Sequence, residues 1–433
     1  MSDYPAPDLR KPAVASTAVA VRPRREHPRI DTTDSRHVKP AAGRTEPTAS
    51  TNSRTVLEIR RPTDDGTRRE PRWRIPLGIL GTGTIGRALL RQLAKYLTAD
   101  RLGQSPLFCV RGIANSRSMW LTREAFDLRD WHDATPPSVA TDIDRFLSHV
   151  RQTTDFAPIL VDVTASPAIA THHVDWLRGG CHVVTANKLG IAGSQTQYQA
   201  LRAASTGRIR YAYETTVGAA LPVVQTVRDL CTTGDQILMI QGLLSGTLSY
   251  LFNTYDGSRP FSELVRTARS RGLTEPDPRA DLAGMDVARK LLILAREAGF
   301  PLDLDDIKVE NLVPVDLAQD TLDDFLVHLT RMDEPLKNRL DEANRTRGVL
   351  RYAAMLNSDG NARVGLGIYP LAHAFATTCH TDNLIEVTTE RYRPTPLIIR
   401  GPGAGADITA AGVLTDILKV VDFEWHVTSR NIP

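Results

Sequence analysis

The sequence predicts an α/β domain of the Rossmann type followed by an α+β domain, and three observations support this fold class. A short apolar run, a glycine-rich turn and a helical pattern follow one another directly near residue 80. Apolar strands then alternate with helices, which is typical of a parallel sheet, and later strands and helices occur in separate runs. We therefore predict an α/β domain over residues 73–221, an α+β domain over 222–400, and a return of 401–433 to the first domain.

The glycine-rich turn follows a buried apolar strand at residues 77–80 and opens a helix. Its residues are Gly81, Thr82, Gly83, Thr84, Ile85 and Gly86. In a dinucleotide-binding turn the first glycine permits the tight turn, the second admits the pyrophosphate, and the third lets the helix pack on the strand. Phosphates then lie at the helix N-terminus. The alternative is a glycine-rich connection in another α/β protein, but both flanks favour nucleotide binding.

The end of the second predicted strand, residues 107–114, bears on the choice of cofactor. NAD-binding proteins usually carry an acid here for the ribose 2′-hydroxyl, but no Asp or Glu occurs between Arg101 and Arg123. Ser116 and Arg117 instead offer a hydroxyl and a guanidinium, which suit a 2′-phosphate. We predict NADP, with NAD as an alternative cofactor. Arg117 could otherwise be an ordinary surface residue.

Two further buried strands are predicted over residues 159–164 and 182–185. Ligands bind beyond the carboxyl ends of parallel strands, so Thr164 and Lys188 are expected at the cofactor crevice. A lysine at a strand end can also be a plain surface residue. Between these strands, His172 and His173 have no companion metal ligands and are expected on a helix surface.

A proline-rich acidic turn that leads into a helix is the most informative segment. Asp286 and Lys290 are one helical turn apart and share a face, beside an apolar stripe that a core would bury. Burial lowers the pKa of an ammonium group, and a neighbouring carboxylate opposes that change and fixes the group's position. A solvated salt bridge is the alternative, but further acids lie just upstream at Glu275, Asp277 and Asp281.

Regular elements are also predicted in the second domain. The predicted strands cover 236–244, 348–356, 363–368, 383–389 and 396–399, and the predicted helices cover 261–271, 320–332 and 334–345. A last helix over 409–421 is predicted in the segment that returns to the first domain.

Residues 1–72 differ in composition from the rest of the chain. They hold fifteen Lys/Arg against ten Asp/Glu, nine of the 27 prolines, and a single aromatic residue. Such a segment cannot bury a core, so we predict a disordered basic Pro/Arg-rich tail. Its ten acids argue against a transit peptide; an organelle signal or a binding arm is the alternative.

The remaining composition is that of a globular chain, with 41% hydrophobic and 24% charged residues. No apolar stretch reaches the eighteen or more residues of a membrane span. The four cysteines lack CxxC spacing, which indicates a reducing compartment and no zinc. We expect a cytoplasmic protein with a small-molecule substrate and with neither nucleic-acid nor membrane partners.

Six motifs in this order make the chain resemble the homoserine dehydrogenase family, and above all the dehydrogenase half of bifunctional aspartokinase–homoserine dehydrogenases. The likeness runs from about residue 75 to the C-terminal region. It rests on the glycine-rich turn, Thr-Ala-Asn-Lys (185–188), Glu-Thr-Thr-Val-Gly-Ala-Ala-Leu-Pro (214–222), Leu-Ser-Gly-Thr-Leu-Ser-Tyr (244–250), the acidic turn and its helix, and Gly-Pro-Gly-Ala-Gly-Ala-Asp-Ile-Thr-Ala-Ala-Gly (401–412).

The resemblance implies interconversion of L-homoserine and L-aspartate 4-semialdehyde with a nicotinamide cofactor. By the same resemblance Lys290 is the acid/base lysine, Lys188 polarises the reacting oxygen, and Asp286 orients Lys290 and binds the substrate ammonium. Glu275 and Asp281 also match substrate-pocket acids. Thr247 resembles a substrate contact, with a plain turn as the alternative.

The resemblance also implies a monovalent cation, Na⁺ or another, held by the Glu214 carboxylate and the carbonyl groups of Val217, Ala219 and Leu221. Glu214 could instead be a buried acid bound by backbone amides. Ala220 and Ala280 depart from the family, which more often has a glycine and a second acid there, so the geometry of the loop at Ala220 is left open.

The last glycine-rich turn, with Gly403 and Gly405, would return to the nicotinamide crevice. The second domain would then serve as a substrate and dimerisation domain, and a homodimer is expected. No regulatory domain is expected after residue 412, so we predict weak or no threonine feedback. One alternative is a paralogue acting on another amino-acid aldehyde or a β-hydroxy amino acid, against which Lys188, Glu275, Asp286 and Lys290 weigh. The other is a silent NADP-binding protein, against which the intact Lys290 weighs.

Overall fold

A computed structural model of the protein describes residues 74–98, 107–129, 131, 138–152 and 156–429. The predicted tail at residues 1–72 lies outside these residues, so its disorder stays a prediction. Among the helices of the described part, none is both long and apolar enough to cross a membrane.

The first sheet has seven strands in the order β4-β3-β2-β1-β5-β6-β7. Their bounds are β1 Ile75–Leu80, β2 Phe108–Ala114, β3 Ser118–Leu121, β4 Val139–Ala140, β5 Ile159–Asp162, β6 His182–Thr185 and β7 Tyr211–Ala212. Strands β2, β1, β5, β6 and β7 pair in parallel, and β3 and β4 are added antiparallel at one edge. The chain leaves β1 towards β2 on one side and reaches β5 on the other, which opens a crevice at their carboxyl ends.

Short helices connect and cover this sheet. They are α1 Thr84–Thr98, α2 Ile143–Arg151, α3 Pro167–Thr171, α4 His173–Arg178, α5 Lys188–Ile191, α6 Gln195–Ala204 and α7 Val224–Thr232. Every residue of β1 and β2 is buried, as expected for parallel strands covered on both faces. Gly78 and Gly112 leave room for the Phe146 ring of α2, because a Cβ at either position would lie 2.8 or 2.7 Å from that ring.

The second sheet has six strands in the order β13-β12-β8-β10-β11-β9. Their bounds are β8 Ile237–Leu243, β9 Lys308–Val309, β10 Gly348–Asn357, β11 Ala362–Pro370, β12 Asp382–Thr389 and β13 Leu397–Pro402. All pairs are antiparallel except β11 with β9. The predicted class, α/β followed by α+β, is therefore confirmed.

The second sheet is covered on one face by helices. The helices of this part are α8 Gly246–Thr254, α9 Phe261–Ser270, α10 Arg279–Leu282, α11 Met285–Glu297, α12 Leu322–His328 and α13 Asp333–Arg345. Helix α11 packs against α5 and α7 on one side and against β10 and β11 on the other. It is consequently buried over most of its circumference and lies where the two sheets meet.

The last helix, α14 Ala406–Ser429, packs on α1 of the first domain. Near its start, Arg91 Nη2 lies 3.1 Å from Asp407 Oδ1. Towards its end, the buried Glu424 carboxylate accepts hydrogen bonds from the Ala157 backbone N–H, at 2.8 Å, and from Arg208. Both ends of α14 are therefore tied to the first sheet and its helices.

Four short strands at or next to the sheet edges, β3, β4, β7 and β9, have no counterpart among the predicted elements, because each has only two to four residues and no alternating pattern. The predicted helix over 320–332 is shorter: α12 starts after Thr321, whose side chain accepts from the Asp324 backbone N–H, and a 3-10 turn at 329–332 follows it.

The prediction for His173 is wrong. Its side chain is fully buried, with 0% exposure, and its ring contacts Trp176 and Tyr211. A two-residue histidine pattern on a short helix does not reveal which of the two faces the sheet. His172, beside it, is half-buried.

Candidate active site

One carboxylate contacts two lysines that lie on different helices, α5 and α11. Asp286, in the first turn of α11, lies 2.8 Å through Oδ2 from Lys290 Nζ and 3.3 Å through Oδ1 from Lys188 Nζ. Lys188 is the first residue of α5, directly after the carboxyl end of β6. Lys290 Nζ also donates to the Leu244 carbonyl at 2.7 Å, at the end of β8. The three side chains predicted from the sequence as catalytic are thus in contact.

The protonation of this group follows from its surroundings. Burial opposes ionisation of Asp286, but the charges of Lys290 and Lys188 outweigh it and hold the pKa of Asp286 well below its usual range. Burial lowers the pKa of Lys290; Asp286 raises it, and the charge of Lys188 lowers it further. Lys290 is therefore a cation that gives up its proton more readily than a lysine in water.

The entry to α11 depends on a glycine with a left-handed backbone. Gly284, the N-cap residue, has φ of 72°. A Cβ built on it would lie 2.0 Å from the Tyr352 Oη, which donates to the Glu310 carbonyl at 2.7 Å. Only glycine tolerates both the backbone angle and the contact without strain, and the direction of α11 sets the positions of Asp286 and Lys290.

Two of the upstream acids form a cluster with Thr247. The Thr247 hydroxyl lies 2.8 Å from Asp281 Oδ1, and Asp281 Oδ2 accepts from the Glu275 backbone N–H at 2.8 Å. Burial raises the pKa of Asp281, against these hydrogen bonds. The Glu275 side chain is exposed. Asp277 is separate from this cluster, because its carboxylate pairs with Arg279 at 2.7 Å.

The glycine-rich turn has the geometry that phosphate binding requires. Gly81 has φ of 111°, and a Cβ on Gly86 would lie 1.9 Å from the Gly81 carbonyl oxygen. A Cβ on Gly83 would meet no described atom within 4 Å, so its backbone is open to a ligand. Thr84 and Ile85 start α1 beyond it, and the Thr82 hydroxyl accepts from Asn115 Nδ2 at 3.2 Å.

Asn115 also shapes the end of β2. Its Oδ1 accepts from the backbone N–H groups of Arg117, at 2.8 Å, and Ser118, at 2.9 Å. This turn leaves the side chains of Ser116 and Arg117 exposed beside the glycine-rich turn. Asn115 was not predicted as a site residue, although an Asn directly after a strand is a common turn signal.

At the end of β5, Thr164 donates its hydroxyl hydrogen bond to Asp162 Oδ1 at 2.7 Å. Asp162 is another residue that the sequence reasoning did not identify, since it lies inside an apolar run. The later glycine-rich turn leads into α14: Gly405 has φ of 118°, and Gly403 packs on Asn383, 2.0 Å from where its Cβ would be.

The loop proposed for a cation contains a buried carboxylate that is only half satisfied. Glu214 Oε2 accepts from the Gln225 backbone N–H at 2.9 Å, whereas Oε1 is buried without a hydrogen-bond partner among the described residues. Burial raises the pKa of Glu214, and burial also raises the pKa of neighbouring Asp416 to about 6. A cation beside Oε1 would satisfy this oxygen, so these residues fit such a group.

The backbone of this loop is irregular. Val217 is buried and extended, and Ala219 has a left-handed φ of 56°; Leu221 ends the loop, and its backbone N–H donates to the Gly218 carbonyl at 3.0 Å. Ala220, which departs from the family pattern, is exposed and is not among the described residues with positive φ. The extra methyl group is therefore accommodated.

Comparison with known proteins agrees with this geometry. Residues 81–214 match the family model described as "Homoserine dehydrogenase, NAD binding domain", and residues 222–418 match the one described as "Homoserine dehydrogenase". A chloroplastic bifunctional aspartokinase/homoserine dehydrogenase 2 of Zea mays is 43% identical over 354 residues, covering 81% of this chain and 39% of the relative. The chain thus spans about two fifths of that relative's length.

Other relatives are covered almost completely. A homoserine dehydrogenase of Emericella nidulans is 37% identical over 370 residues, covering 80% of this chain and 98% of the relative. A crystal structure of a protein of unknown function from Candida auris is 36% identical with a TM-score of 0.75, covering 80% of this chain and 98% of that one. A hyperthermophilic archaeal homoserine dehydrogenase in complex with NADPH is 20% identical with a TM-score of 0.61, over 83% and 99% of the two chains, and shows the fold alone. The protein described here accordingly belongs to the homoserine dehydrogenase family.

Proposed function

We propose that the chain interconverts L-homoserine and L-aspartate 4-semialdehyde with a nicotinamide cofactor, in the biosynthesis of threonine, methionine and isoleucine. The observation that carries this proposal is the contact of Lys188 and Lys290 with Asp286. This contact lies where α11 meets the carboxyl end of β6. The glycine-rich turn follows the carboxyl end of β1 in the same sheet. Family membership supports the choice of substrate.

The cofactor would supply hydride to the carbonyl carbon, or accept it in the reverse direction. Lys290 would hold a proton at Nζ and donate it to the carbonyl oxygen during reduction, and it would take the hydroxyl proton during oxidation. Lys188 would place a second donor against the negative charge that develops on that oxygen. Asp286 would keep both amines within reach of one atom, because it contacts both.

The acidic cluster would bind the substrate ammonium group. Glu275 is exposed at the rim and has a carboxylate available for this cation. Asp281 holds the Glu275 backbone through its N–H and lies beside Thr247, so Asp281 and Thr247 would set the position of the ammonium site. These acids favour an amino-acid aldehyde over an uncharged one.

The test is a spectrophotometric assay of the purified full chain with L-homoserine, using NADP and NAD in turn, and with L-serine and L-threonine as alternative substrates. We expect reduction of the cofactor with homoserine at rates at least tenfold above those with either analogue. Turnover of an analogue but not of homoserine would contradict the proposed substrate. The same assay with added threonine tests the predicted weak feedback.

NADP is the proposed cofactor, held by the glycine-rich turn, Ser116 and Arg117, because residues 102–122 contain no acid for the ribose 2′-hydroxyl of NAD. Replacing Arg117 with alanine should lower kcat/KM for NADP by about 10–100-fold, because a charged hydrogen bond to the 2′-phosphate is lost. The value for NAD should stay unchanged. Arg123→Ala, a second exposed arginine near β3, is the control, and equal losses with both cofactors would refute the assignment.

We also propose that Glu214 and the carbonyl groups of Val217, Ala219 and Leu221 hold Na⁺ or another monovalent cation. The unpartnered Glu214 Oε1 supports this. We expect the melting temperature to be higher in NaCl than in choline chloride at equal ionic strength, since a bound ion stabilises the folded state. Glu214→Gln should abolish this difference, whereas the exposed Glu263→Gln should retain it. A sodium effect that is equal in both variants would place the ion elsewhere.

A homodimer and a cytoplasmic location complete the proposal. The strand register places Ile398 on the face of the second sheet that carries Gln241, and Ile398 is 46% exposed. The exposed Ile398 on β13, an edge strand of this sheet, supports pairing of two copies, which analytical ultracentrifugation would measure. All four cysteines are free, which supports a reducing compartment.

A further inference from the structure

A buried hydrogen-bond network lies directly beneath Lys188. Its centre is the fully buried carboxylate of Asp162 at the end of β5. Asp162 Oδ2 lies 3.0 Å from His173 Nε2 and accepts from Asn187 Nδ2 at 2.9 Å. Asp162 Oδ1 accepts from the backbone N–H of Thr164 at 2.8 Å and from its hydroxyl at 2.7 Å. All the partners of this carboxylate that are described here can donate a hydrogen bond.

The hydrogen bonds of His173 have a single consistent direction. Its Nδ1 lies 3.1 Å from the Tyr211 hydroxyl, and both side chains are buried. Asp162 already accepts its other hydrogen bonds as a carboxylate, so the His173 Nε2–H donates to it. Nδ1 then accepts a hydrogen bond from the Tyr211 hydroxyl. Burial raises the pKa of Tyr211 and so keeps this hydroxyl protonated. A neutral imidazole satisfies every group in the network.

Both ends of α5 rest on this network. At the start, Asn187 Oδ1 accepts from the Leu189 backbone N–H at 3.1 Å and caps the helix, while Asn187 Nδ2 is held by Asp162. In the third position, Gly190 packs on the histidine–tyrosine pair: a Cβ there would lie 2.8 Å from His173 Nδ1 and 2.7 Å from the Tyr211 Oη. The helix has only four residues, so these two contacts fix its position.

We propose that His173 is a positioning residue for the reaction: with Asp162 and Tyr211 it holds α5 so that the Lys188 ammonium reaches Asp286 and the reacting oxygen. Because His173 is fully buried, it would act through α5 and not by contact with substrate or cofactor. The inference rests on the proposed dehydrogenase function, and it adds a residue that no motif of the sequence marks as functional.

The test compares His173→Phe with the wild type. The variant keeps a ring of similar size but leaves Asp162 without one donor and the Tyr211 hydroxyl without its acceptor. We expect kcat with homoserine to fall about tenfold or more, since small displacements of a reacting group are costly, and KM for NADP to stay within twofold. His173→Gln, whose amide can donate to Asp162 and accept from Tyr211, should restore at least a third of the wild-type kcat.

The pH profile separates positioning from general loss of structure. Lys290 faces Asp286, Lys188 and Asp281, and the charge of Lys188 is the one of these that lowers its pKa. If α5 shifts and Lys188 moves away, the pKa of Lys290 rises. The limb of the aldehyde-reduction profile that falls with rising pH should then move to higher pH in His173→Phe. A merely structural role would leave that limb in place.

His182→Phe is the matched control. His182 is also fully buried and pairs with a buried carboxylate, Glu424, at 3.2 Å. It lies at the amino end of β6, however, whereas Lys188 follows the carboxyl end. We expect a similar loss of melting temperature in both variants and a shifted pH limb only in His173→Phe.

If His173→Phe does not fold, Tyr211→Phe removes only the hydroxyl and should show the same shift with a smaller loss of kcat. Unchanged kcat and pH profile, with homoserine turnover intact in the wild type, would overturn the inference and leave the proposed function standing.

Discussion

Replacing Lys290 with methionine is expected to lower kcat for homoserine oxidation by about 10²–10⁴-fold, the usual contribution of a positioned acid or base. Methionine fills similar volume but carries no proton, and Asp286 keeps its contact with Lys188. The affinity for NADP, measured by calorimetric titration, should be unchanged, because the groups proposed to hold the cofactor do not include Lys290. A kcat within threefold of the wild-type value would exclude Lys290 as the acid/base.

The pH dependence of kcat should run in opposite directions for oxidation and reduction if Lys290 is the acid/base. Oxidation needs the uncharged amine of Lys290, so wild-type kcat should rise as pH rises through its pKa, and reduction should fall over the same range. Burial lowers that pKa from the value of lysine in water, so both changes should occur below pH 10.5. Lys290→Met should lose both limbs. The exposed Lys308→Met in β9 is the control and should keep them.

Gly284→Ala should lower the free energy of unfolding by about 2–5 kcal/mol. A left-handed backbone costs a non-glycine residue about 1–2 kcal/mol, and forcing a methyl group into a filled space costs about 1–3 kcal/mol. Here the new Cβ would lie 2.0 Å from the Tyr352 Oη. Urea unfolding followed by circular dichroism measures the change.

Gly272→Ala separates the two contributions. Gly272 has φ of 67°, against 72° for Gly284, but a Cβ there would meet no described atom within 4 Å. It should therefore show only the backbone cost. Equal losses at the two positions would mean that the tyrosine contact is unimportant. Because α11 carries Asp286 and Lys290, only Gly284→Ala should also reduce kcat.

The parts of the site that could be predicted from the sequence are those encoded within one turn or one helix. The spacing of Asp286 and Lys290 determines their contact once α11 forms, and the glycines at 81, 83 and 86 determine the shape of a single turn. The two sheets followed from the same local signals, since long apolar runs and alternating segments identify most of their strands.

The parts that could not be predicted depend on pairing between distant segments. His173 meets Tyr211, 38 positions away, and Asp162, and nothing in the residues around His172 and His173 indicates which ring is buried. Glu424 meets His182 from 242 positions away. The unpartnered Oε1 of Glu214 likewise could not be predicted, because it depends on the hydrogen bond that Oε2 accepts from the Gln225 backbone N–H.

The chain passes between its two sheets twice, and the passages are neighbours. Gly401, near the end of β13, has its would-be Cβ 2.9 Å from Leu221, and Gly412 in α14 packs on Thr215 and Ala219. We expect any hinge motion that separates Lys188 from Asp286 to bend the chain at these two adjacent crossings, and Glu214 lies in the first of them.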